Sequence, residues 1–289
     1  MTNTRTERPH RPRKRFGQHF LAPAWAAKVV AAIAPQPADV FLEIGPGTGA
    51  ITRPLAATGV PILAVEIDRD LAAALAREVP ANVTLMTGDI LRTDVTPFLA
   101  GLVPLRPPDQ HQQPSGPRRF RIVGNLPYNL STPILFHLLE LHRRHALFAD
   151  ATIMLQREVA DRLSARPGTK DYGALTILTR VHATVERLLD LPPGAFRPAP
   201  KVRSSVVRVT FGAASVRLPD EPLFERLVKT LFSHRRKTLS NAIKPFDPTA
   251  PAVLALSGID GQRRPETLQV TEIARLAELF ASVRRPAVL

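Results

Sequence analysis

The segment Asn125-Leu126-Pro127-Tyr128 carries side chains suited to chemistry on the exocyclic amine of a planar base such as adenine. Such an amine is a poor nucleophile because its lone pair is delocalised into the ring, so a catalyst has to hold its N–H groups and stack the ring. Asn125 offers a side-chain carbonyl, Pro127 leaves the backbone before Tyr128 without an N–H, and Tyr128 offers a π face. Carbonyl dipoles would also stabilise the positive charge that develops on the attacking nitrogen. Taken alone, the segment equally fits a turn with a packed tyrosine.

A glycine-rich loop at residues 43–50 follows an apolar strand pattern and opens a helical one. Its glycines let the backbone approach a ligand closely, and the helix N-terminus offers unpaired N–H groups. Gly45, Gly47 and Ala50 also satisfy the dinucleotide fingerprint, so the loop alone leaves NAD and FAD open. Glu66 closes the next strand pattern, where a carboxylate would accept both hydroxyls of a ribose.

Strands must position these residues, and apolar segments predict them at residues 40–44, 62–65, 83–86, 120–123 and 151–155. Helical patterns alternate with the strands, which is typical of an α/β fold with a doubly wound, mostly parallel sheet. Glu66, Asp89 and Asn125 follow three of these strands, so we expect them at the edge of the sheet where ligands bind. Each carboxylate alone also fits a helix cap or a turn.

The pattern of apolar and polar residues changes along the chain and predicts three structural regions. Residues 201–211 alternate apolar and polar side chains as a sheet-edge strand would, and beyond residue 218 the patterns are helical only. The predicted parts are a disordered basic arm at 1–14, an α/β domain at 15–212 and a small all-helical domain at 218–289. Residues 101–119 have no periodicity and predict a mobile insertion within the α/β domain.

The charge of the chain is strongly positive, with a formal net charge of +14 over 289 residues. The run from 226 to 244 has no acidic residue and contains Arg226, Lys229, Arg235, Arg236, Lys237 and Lys244. Nucleic-acid phosphate is the natural partner of such a surface. A solvated basic face in an arginine-rich chain is the alternative interpretation.

Other function classes lose support from what the sequence lacks. The chain has no cysteine, which excludes disulfides, iron–sulfur clusters and a cysteine nucleophile and favours a reducing compartment, the cytoplasm. His142 and His145 have the spacing of paired ligands, but no nearby pattern completes a metal shell, so no metal site is predicted. The apolar stretch at 22–34 is too short to span a bilayer, so no membrane segment is expected.

Five motifs together resemble those of the small-subunit ribosomal RNA adenine N6-dimethyltransferases. In the order of the chain they are RFGQHFL at 15–21, EIGPGTG at 43–49, NLPY at 125–128, FRPAPKVRS at 196–204 and RRKTL at 235–239. The resemblance covers about residues 15–243. It implies the class I methyltransferase variant of the doubly wound fold, with S-adenosylmethionine as the cofactor and no metal.

The resemblance implies a role for each matching residue. The cofactor would be held by His19, Leu21, Gly45, Gly47, Glu66, Asp89 and Asn125, with Glu66 on the ribose hydroxyls and Asp89 on the adenine amine. Position 19 is often asparagine in the family, so the contact made by His19 departs from the usual pattern. The catalytic segment would be Asn125, Leu126, Pro127 and Tyr128, with Leu126 offering its backbone carbonyl.

The target base and its RNA would engage a second set of residues. Tyr128 and Phe196 would sandwich the flipped adenine, as chemistry on a base edge requires. On its own, Phe196 fits a packing residue better. RNA phosphates would be gripped by Lys201, Arg203, Arg235, Arg236 and Lys237.

The implied activity is dimethylation of N6 of two adjacent adenosines in the 3′-terminal hairpin loop of 16S rRNA, late in small-subunit biogenesis. The implied partner is the small ribosomal subunit, and we expect a cytoplasmic monomer with no membrane association. One alternative is an adenine methyltransferase of the antibiotic-resistance type acting on large-subunit rRNA. A ribosome-assembly factor that binds without catalysis is another, and an NAD-dependent oxidoreductase is supported by the glycine loop alone.

Overall fold

The structure is a computed structural model that describes residues 18–101, 119–212, 215–233 and 236–284. The predicted arm at 1–14, nearly all of the predicted insertion and Arg235 lie outside the described residues. The chain forms two compact units. The first contains the residues up to Arg157 together with Arg187–Arg208, and the second contains Glu158–Glu186 together with the residues from Val209 onward. Because residues 158–186 pack with the helical unit, this division differs from the predicted boundary near residue 212.

Strands and helices alternate over most of the described chain. The strands are β1 Phe20–Leu21, β2 Asp39–Ile44, β3 Ile62–Glu66, β4 Val83–Thr87, β5 Arg119–Asn125, β6 Phe148–Gln156, β7 Ala183–Leu191, β8 Phe196–Arg197 and β9 Ser204–Phe211. The helices are α1 Pro23–Ile33, α2 Thr52–Ala56, α3 Arg69–Ala76, α4 Thr96–Gly101, α5 Ser131–His145, α6 Arg157–Ser164, α7 Ala174–His182, α8 Glu221–Ser233, α9 Leu239–Ile243, α10 Ala250–Ser257 and α11 Val270–Arg284.

Seven of these strands form one sheet in the order β4-β3-β2-β5-β6-β9-β7. The pairs from β4 through β6 are parallel, with Ile44 beside both Val65 and Gly124. The carboxyl ends of β2, β3 and β5 are therefore adjacent, and the predicted mostly parallel, doubly wound sheet is confirmed. The chain order reverses between β2 and β5, which is where open sheets of this kind leave a ligand crevice.

The central strands consist mostly of apolar residues because both faces of the sheet are covered. Every residue of β2 and β3 is buried, as expected for parallel strands with helices on each side. After β3 the chain turns at Asp68, whose side chain accepts the backbone N–H of Asp70 at 3.1 Å and caps α3. This cap fixes the direction in which the chain leaves the end of β3.

One prediction about the sheet was wrong. Residues 201–211 were expected to form an edge strand, but β9 lies between β6 and β7. Its burial explains the difference, since six of its eight residues are buried. The edge strand is β7, which the sequence pattern missed because its apolar residues do not alternate cleanly and seven of its nine positions are exposed or only partly buried.

The helical unit has a core of its own. From Glu221 onward the described residues contain only helices and turns, as the sequence pattern indicated. Tyr172, Phe224 and Phe280 are almost fully buried in this core. The Tyr172 hydroxyl donates to the Leu268 carbonyl at 2.8 Å, so the ring can be buried without losing a hydrogen bond. Among the described residues, no helix is long and apolar enough to cross a membrane.

A buried ion-pair network lies near the amino ends of the strands, away from the ligand crevice. The guanidinium of Arg121 binds Asp39 at 2.8 Å and Asp150 at 3.0 Å, and it donates to the Ile33 carbonyl at 2.9 Å. Arg121 is 7% exposed. The network joins the starts of β2, β5 and β6 to the end of α1, so it holds the central strands in register.

Candidate active site

The carboxyl ends of β2, β3 and β5 open onto one cleft of about 740 Å³, including its open mouth. A cleft of this size suits a small-molecule ligand. The sequence-predicted residues on its wall are His19, Leu21, Gly45, Gly47, Glu66, Asn125, Leu126, Pro127 and Tyr128. Four segments that are distant in the sequence therefore meet at the predicted edge of the sheet.

The glycine loop and Glu66 hold each other in place. Gly45 and Gly47 have φ angles of 67° and 58°, which favour glycine. The Glu66 carboxylate accepts the N–H of Gly47 through Oε2 and the N–H of Asp68 through Oε1, both at 2.9 Å. Burial raises the pKa of Glu66, while these hydrogen bonds oppose the rise. The carboxylate is thus fixed at the end of β3, on the wall of the cleft.

Glu43 is a second buried carboxyl on the cleft wall, with 1% of its surface exposed. Its Oε2 has no hydrogen-bond partner among the residues that the structure describes. Burial raises the pKa of Glu43 to about 7, and the nearby Glu66 carboxyl adds to the rise. A buried carboxyl without full hydrogen bonding is costly to ionise, so Glu43 is largely protonated below neutral pH.

Glu43→Gln is expected to flatten the pH dependence of stability. Between about pH 4.5, the ordinary pKa, and about pH 7, the folded protein keeps a proton that the unfolded chain has lost. The free energy of unfolding should therefore fall as pH rises through this window, by about 3 kcal/mol. Urea unfolding at pH 5 and pH 8 should show this fall in the wild type and a smaller one in the variant. The control is Glu158→Gln, at an exposed position; equal pH profiles in the wild type and Glu43→Gln would contradict the account.

Residues 18–21, here called the N-terminal strap, cover part of the cleft. Leu21 pairs with Phe196 as β1 pairs antiparallel with β8. The Phe20 ring lies so close to Gly47 that a Cβ there would approach it to 3.1 Å. Gln18 donates to the Asp68 carboxylate at 3.1 Å. The strap is therefore tied to the glycine loop, to the end of β3 and to β8.

Asn125 is the last residue of β5, and the N-terminal strap fixes the orientation of its side-chain amide. Its Nδ2 donates to the His19 carbonyl at 2.7 Å. Since Nδ2 is engaged by the strap, Oδ1 is the atom left to accept a hydrogen bond from a ligand in the cleft. This is the orientation that acceptance of an amine N–H requires.

Tyr128 is held by its hydroxyl and by one face of its ring. The hydroxyl shares a hydrogen bond of 2.7 Å with Ser204 Oγ, and Ser204 is 1% exposed. The His19 ring stacks on the Tyr128 ring with a centroid distance of 5.5 Å. Burial raises the pKa of Tyr128, with the Ser204 hydrogen bond opposing the rise. The phenol is therefore neutral at physiological pH, and its ring orientation is set from β9.

Ser204→Ala is expected to lower the kcat/KM of the methyl transfer that the sequence resemblance implies by about 5-fold, without changing cofactor affinity. The variant frees the Tyr128 hydroxyl and loses one hydrogen bond, worth about 1 kcal/mol, that orients the stacking ring. Ser205→Ala is the matched control, because that hydroxyl is also buried but donates to Asp190 at 2.7 Å. In a Tyr128→Phe background Ser204→Ala should have no further effect. Additive losses in the double variant would contradict the coupling.

Two predicted residues are not brought to the cleft. The Asp89 carboxylate, beyond the end of β4, accepts the N–H of Leu91 at 3.0 Å and does not line the cleft. Phe196 has no exposed surface and packs in the core of the first unit, because its position in β8 points it inward beneath the strap. In this structure Phe196 is a packing residue, and stacking on a base would require it to leave the core.

The predicted phosphate-binding residues fall in both units. Lys201 and Arg203 are exposed just before β9 in the first unit, and Arg236 and Lys237 are exposed before α9 in the second. Arg235 lies outside the described residues. Within the described ranges, no group of three or more His, Asp or Glu side chains could hold a metal ion.

Several residues that line the cleft or support its wall were not predicted from the sequence. The signal for Glu43 is a carboxyl inside the otherwise apolar strand β2. Ser204 gave no local signal, since it lies 76 positions from Tyr128. Gln18 and Ile67 also line the cleft, and Ile67 is 42% exposed there.

The cleft residues fit S-adenosylmethionine. The fixed Glu66 carboxylate suits ribose hydroxyls, and the exposed apolar surface of Ile67 beside it suits a purine face. The loop at Gly45 and Gly47 has no side chains to block a ligand backbone. The predicted cofactor therefore agrees with what these residues offer.

The chain is similar to known ribosomal RNA methyltransferases. A family model described as ribosomal RNA adenine dimethylase matches residues 9–282. The ribosomal RNA small subunit methyltransferase A of Aromatoleum aromaticum is 44% identical over 278 residues, which cover 94% of this chain and 96% of that protein. Its counterpart from Pseudomonas fluorescens is 40% identical over 285 residues, covering 96% and 97%.

A solved structure supports the fold. A dimethyladenosine transferase from Plasmodium falciparum superposes with a TM-score of 0.73 at 24% identity, covering 91% of this chain and 98% of that one. At this identity the likeness concerns the fold alone. The family match spans nearly the whole sequence and the relatives reach 40% identity or more, so the chain belongs to the ribosomal RNA adenine dimethylase family.

Proposed function

We propose that this protein uses S-adenosylmethionine to dimethylate N6 of two adjacent adenosines in the 3′-terminal hairpin loop of 16S rRNA, late in the assembly of the small ribosomal subunit. The observation that carries the proposal is the meeting of Asn125 and Tyr128 with the glycine loop and Glu66 in one cleft. The small-subunit names of the curated relatives support the choice of RNA.

The chain's own residues hold and orient the reacting groups. Glu66 and the loop at Gly45 and Gly47 bind the cofactor, which supplies an electrophilic methyl group on a sulfonium. Tyr128 stacks the target adenine, and Asn125 Oδ1 accepts one of its N6–H groups. This acceptor opposes delocalisation of the nitrogen lone pair and stabilises the positive charge that develops during attack. Alignment inside the cleft supplies a further part of the rate.

RNA binding rests on exposed cations rather than on the cleft. Lys201 and Arg203 in the first unit, and Arg236 and Lys237 in the second, bind phosphates of the subunit RNA. Such contacts make the affinity fall steeply as salt concentration rises. We also propose that the enzyme works as a monomer in the cytoplasm, where its ribosomal substrate is assembled.

The test is transfer of labelled methyl groups to purified, unmethylated ribosomal subunits. We expect the label in small subunits and none in large subunits offered separately. Label confined to large subunits would assign the protein to the large-subunit type of adenine methyltransferase. Tight binding of small subunits without any transfer would contradict an enzymatic role.

A further inference from the structure

The His19 ring stacks on one face of the Tyr128 ring, the side chain on which the proposed function stacks the target adenine. The two ring centroids are 5.5 Å apart and the planes are inclined by 25°. The resemblance to the methyltransferase family predicted a cofactor contact for His19. A contact with the cofactor would not explain why the His19 ring stacks on Tyr128, the side chain that stacks the target base in the proposed function.

His19 is held in this position by its side chain and its backbone separately. Its Nδ1–H donates to the Pro198 carbonyl at 2.8 Å. Its backbone carbonyl accepts from Asn125, and the next two residues of the strap pair with β8. Because the ring and the backbone have different partners, the ring can turn away while the strap and Asn125 stay in place.

The space between the two rings excludes a third ring. A base stacked between them would need about 7 Å, twice the separation of about 3.5 Å between packed carbon atoms. The observed 5.5 Å is too short. The His19 ring therefore has to move before an adenine can lie on this face of Tyr128.

We propose that His19 is a base-site residue whose ring covers Tyr128 and is displaced by the target adenine. This inference rests on the proposed function. Displacement removes one aromatic contact and one hydrogen bond, so His19 weakens the binding of every base. An adenine that stacks on Tyr128 and bonds to Asn125 replaces both contacts, whereas a base without an amine replaces only the stack. His19 thus lowers the affinity for every base by the same displacement cost, and the hydrogen bond to Asn125 is what distinguishes an adenine from a base without an amine.

The test compares His19→Ala and His19→Phe with the wild type. The probe is the 3′-terminal hairpin of small-subunit rRNA with 2-aminopurine at one target adenine, titrated by fluorescence without cofactor. His19→Ala should bind it about 3- to 10-fold more tightly, the factor expected for loss of one competing aromatic contact. His19→Phe keeps a ring over Tyr128 but lacks the hydrogen bond to Pro198, so its affinity should lie between those of the wild type and His19→Ala. With small subunits as substrate, His19→Ala should lower KM by a similar factor and leave kcat unchanged.

The control is His145→Ala, which removes an exposed imidazole at the end of α5, outside the cleft. The affinity of His19→Ala for S-adenosylmethionine, measured by calorimetry, should equal that of the wild type. Weaker cofactor binding with unchanged RNA binding would make His19 a cofactor contact and overturn the inference. Unchanged or weaker binding of the hairpin would also overturn it. Failure of the wild type to methylate small subunits would instead refute the proposed function.

Discussion

Replacing Asn125 with alanine is expected to lower the rate of methyl transfer about 100-fold or more, while the protein still folds and binds S-adenosylmethionine. In the proposed mechanism, Oδ1 of Asn125 accepts the N–H of the attacking amine, and removal of one preorganised polar group at a reacting centre has an effect of this size. Single-turnover transfer to unmethylated small subunits measures the rate, and calorimetry measures the cofactor affinity.

Asn129→Ala is the matched control, because Asn129 is exposed four residues further on and does not line the cleft. It should transfer methyl groups at the wild-type rate. Asn125→Asp keeps an acceptor oxygen but loses the Nδ2 donor that binds the His19 carbonyl at 2.7 Å. Its rate should lie between those of the wild type and Asn125→Ala. Full turnover by Asn125→Ala would remove Asn125 from the proposed site.

Replacing Arg121 with methionine is expected to lower the free energy of unfolding by about 3 to 5 kcal/mol. The change leaves the buried Asp39 carboxylate and the partly buried Asp150 carboxylate without their cation, and loss of one partner from a buried ion pair has this cost. The loss should appear as a lower midpoint in urea unfolding of the whole protein. Because the network lies near the amino ends of the strands, cofactor affinity of the folded protein should not change.

Arg143→Met is the control for Arg121→Met. Arg143 forms an ion pair with Glu140 on α5, but its side chain is 43% exposed, so its removal should cost less than about 1 kcal/mol. Adding Asp39→Asn and Asp150→Asn to Arg121→Met should recover part of the lost stability, because the unpaired charges are then gone. Equal losses for the Arg121 and Arg143 variants would contradict the role of burial.

Much of the site could be predicted because its local signals are strong. Mostly apolar runs marked β2 and β3, and the residues that end them had to lie at one edge once the sheet was parallel. The glycine loop, Glu66 and Asn125 therefore came together as expected. The edge strand of the sheet was harder to predict. Apolar and polar residues do not alternate clearly in β7, and its position in the sheet depends on its pairing with β9.

The hydrogen bonds between distant residues at the site could not be predicted from sequence patterns. The hydrogen bond from Asn125 reaches back 106 positions to His19, and the bond from His19 to Pro198 spans 179. Periodicity reports which face of an element is buried, but not which distant side chain meets it. The same limit applies to Phe196, whose motif suggested a base contact although its register in β8 buries it.

The most direct test of the central claim is to map the methyl groups by mass spectrometry after incubating the protein with S-adenosylmethionine and unmethylated small subunits. We predict N6,N6-dimethyladenosine at two adjacent positions in the 3′-terminal hairpin loop of 16S rRNA and at no other site. Modification elsewhere in the small-subunit RNA, or no modified adenine, would contradict the proposed function.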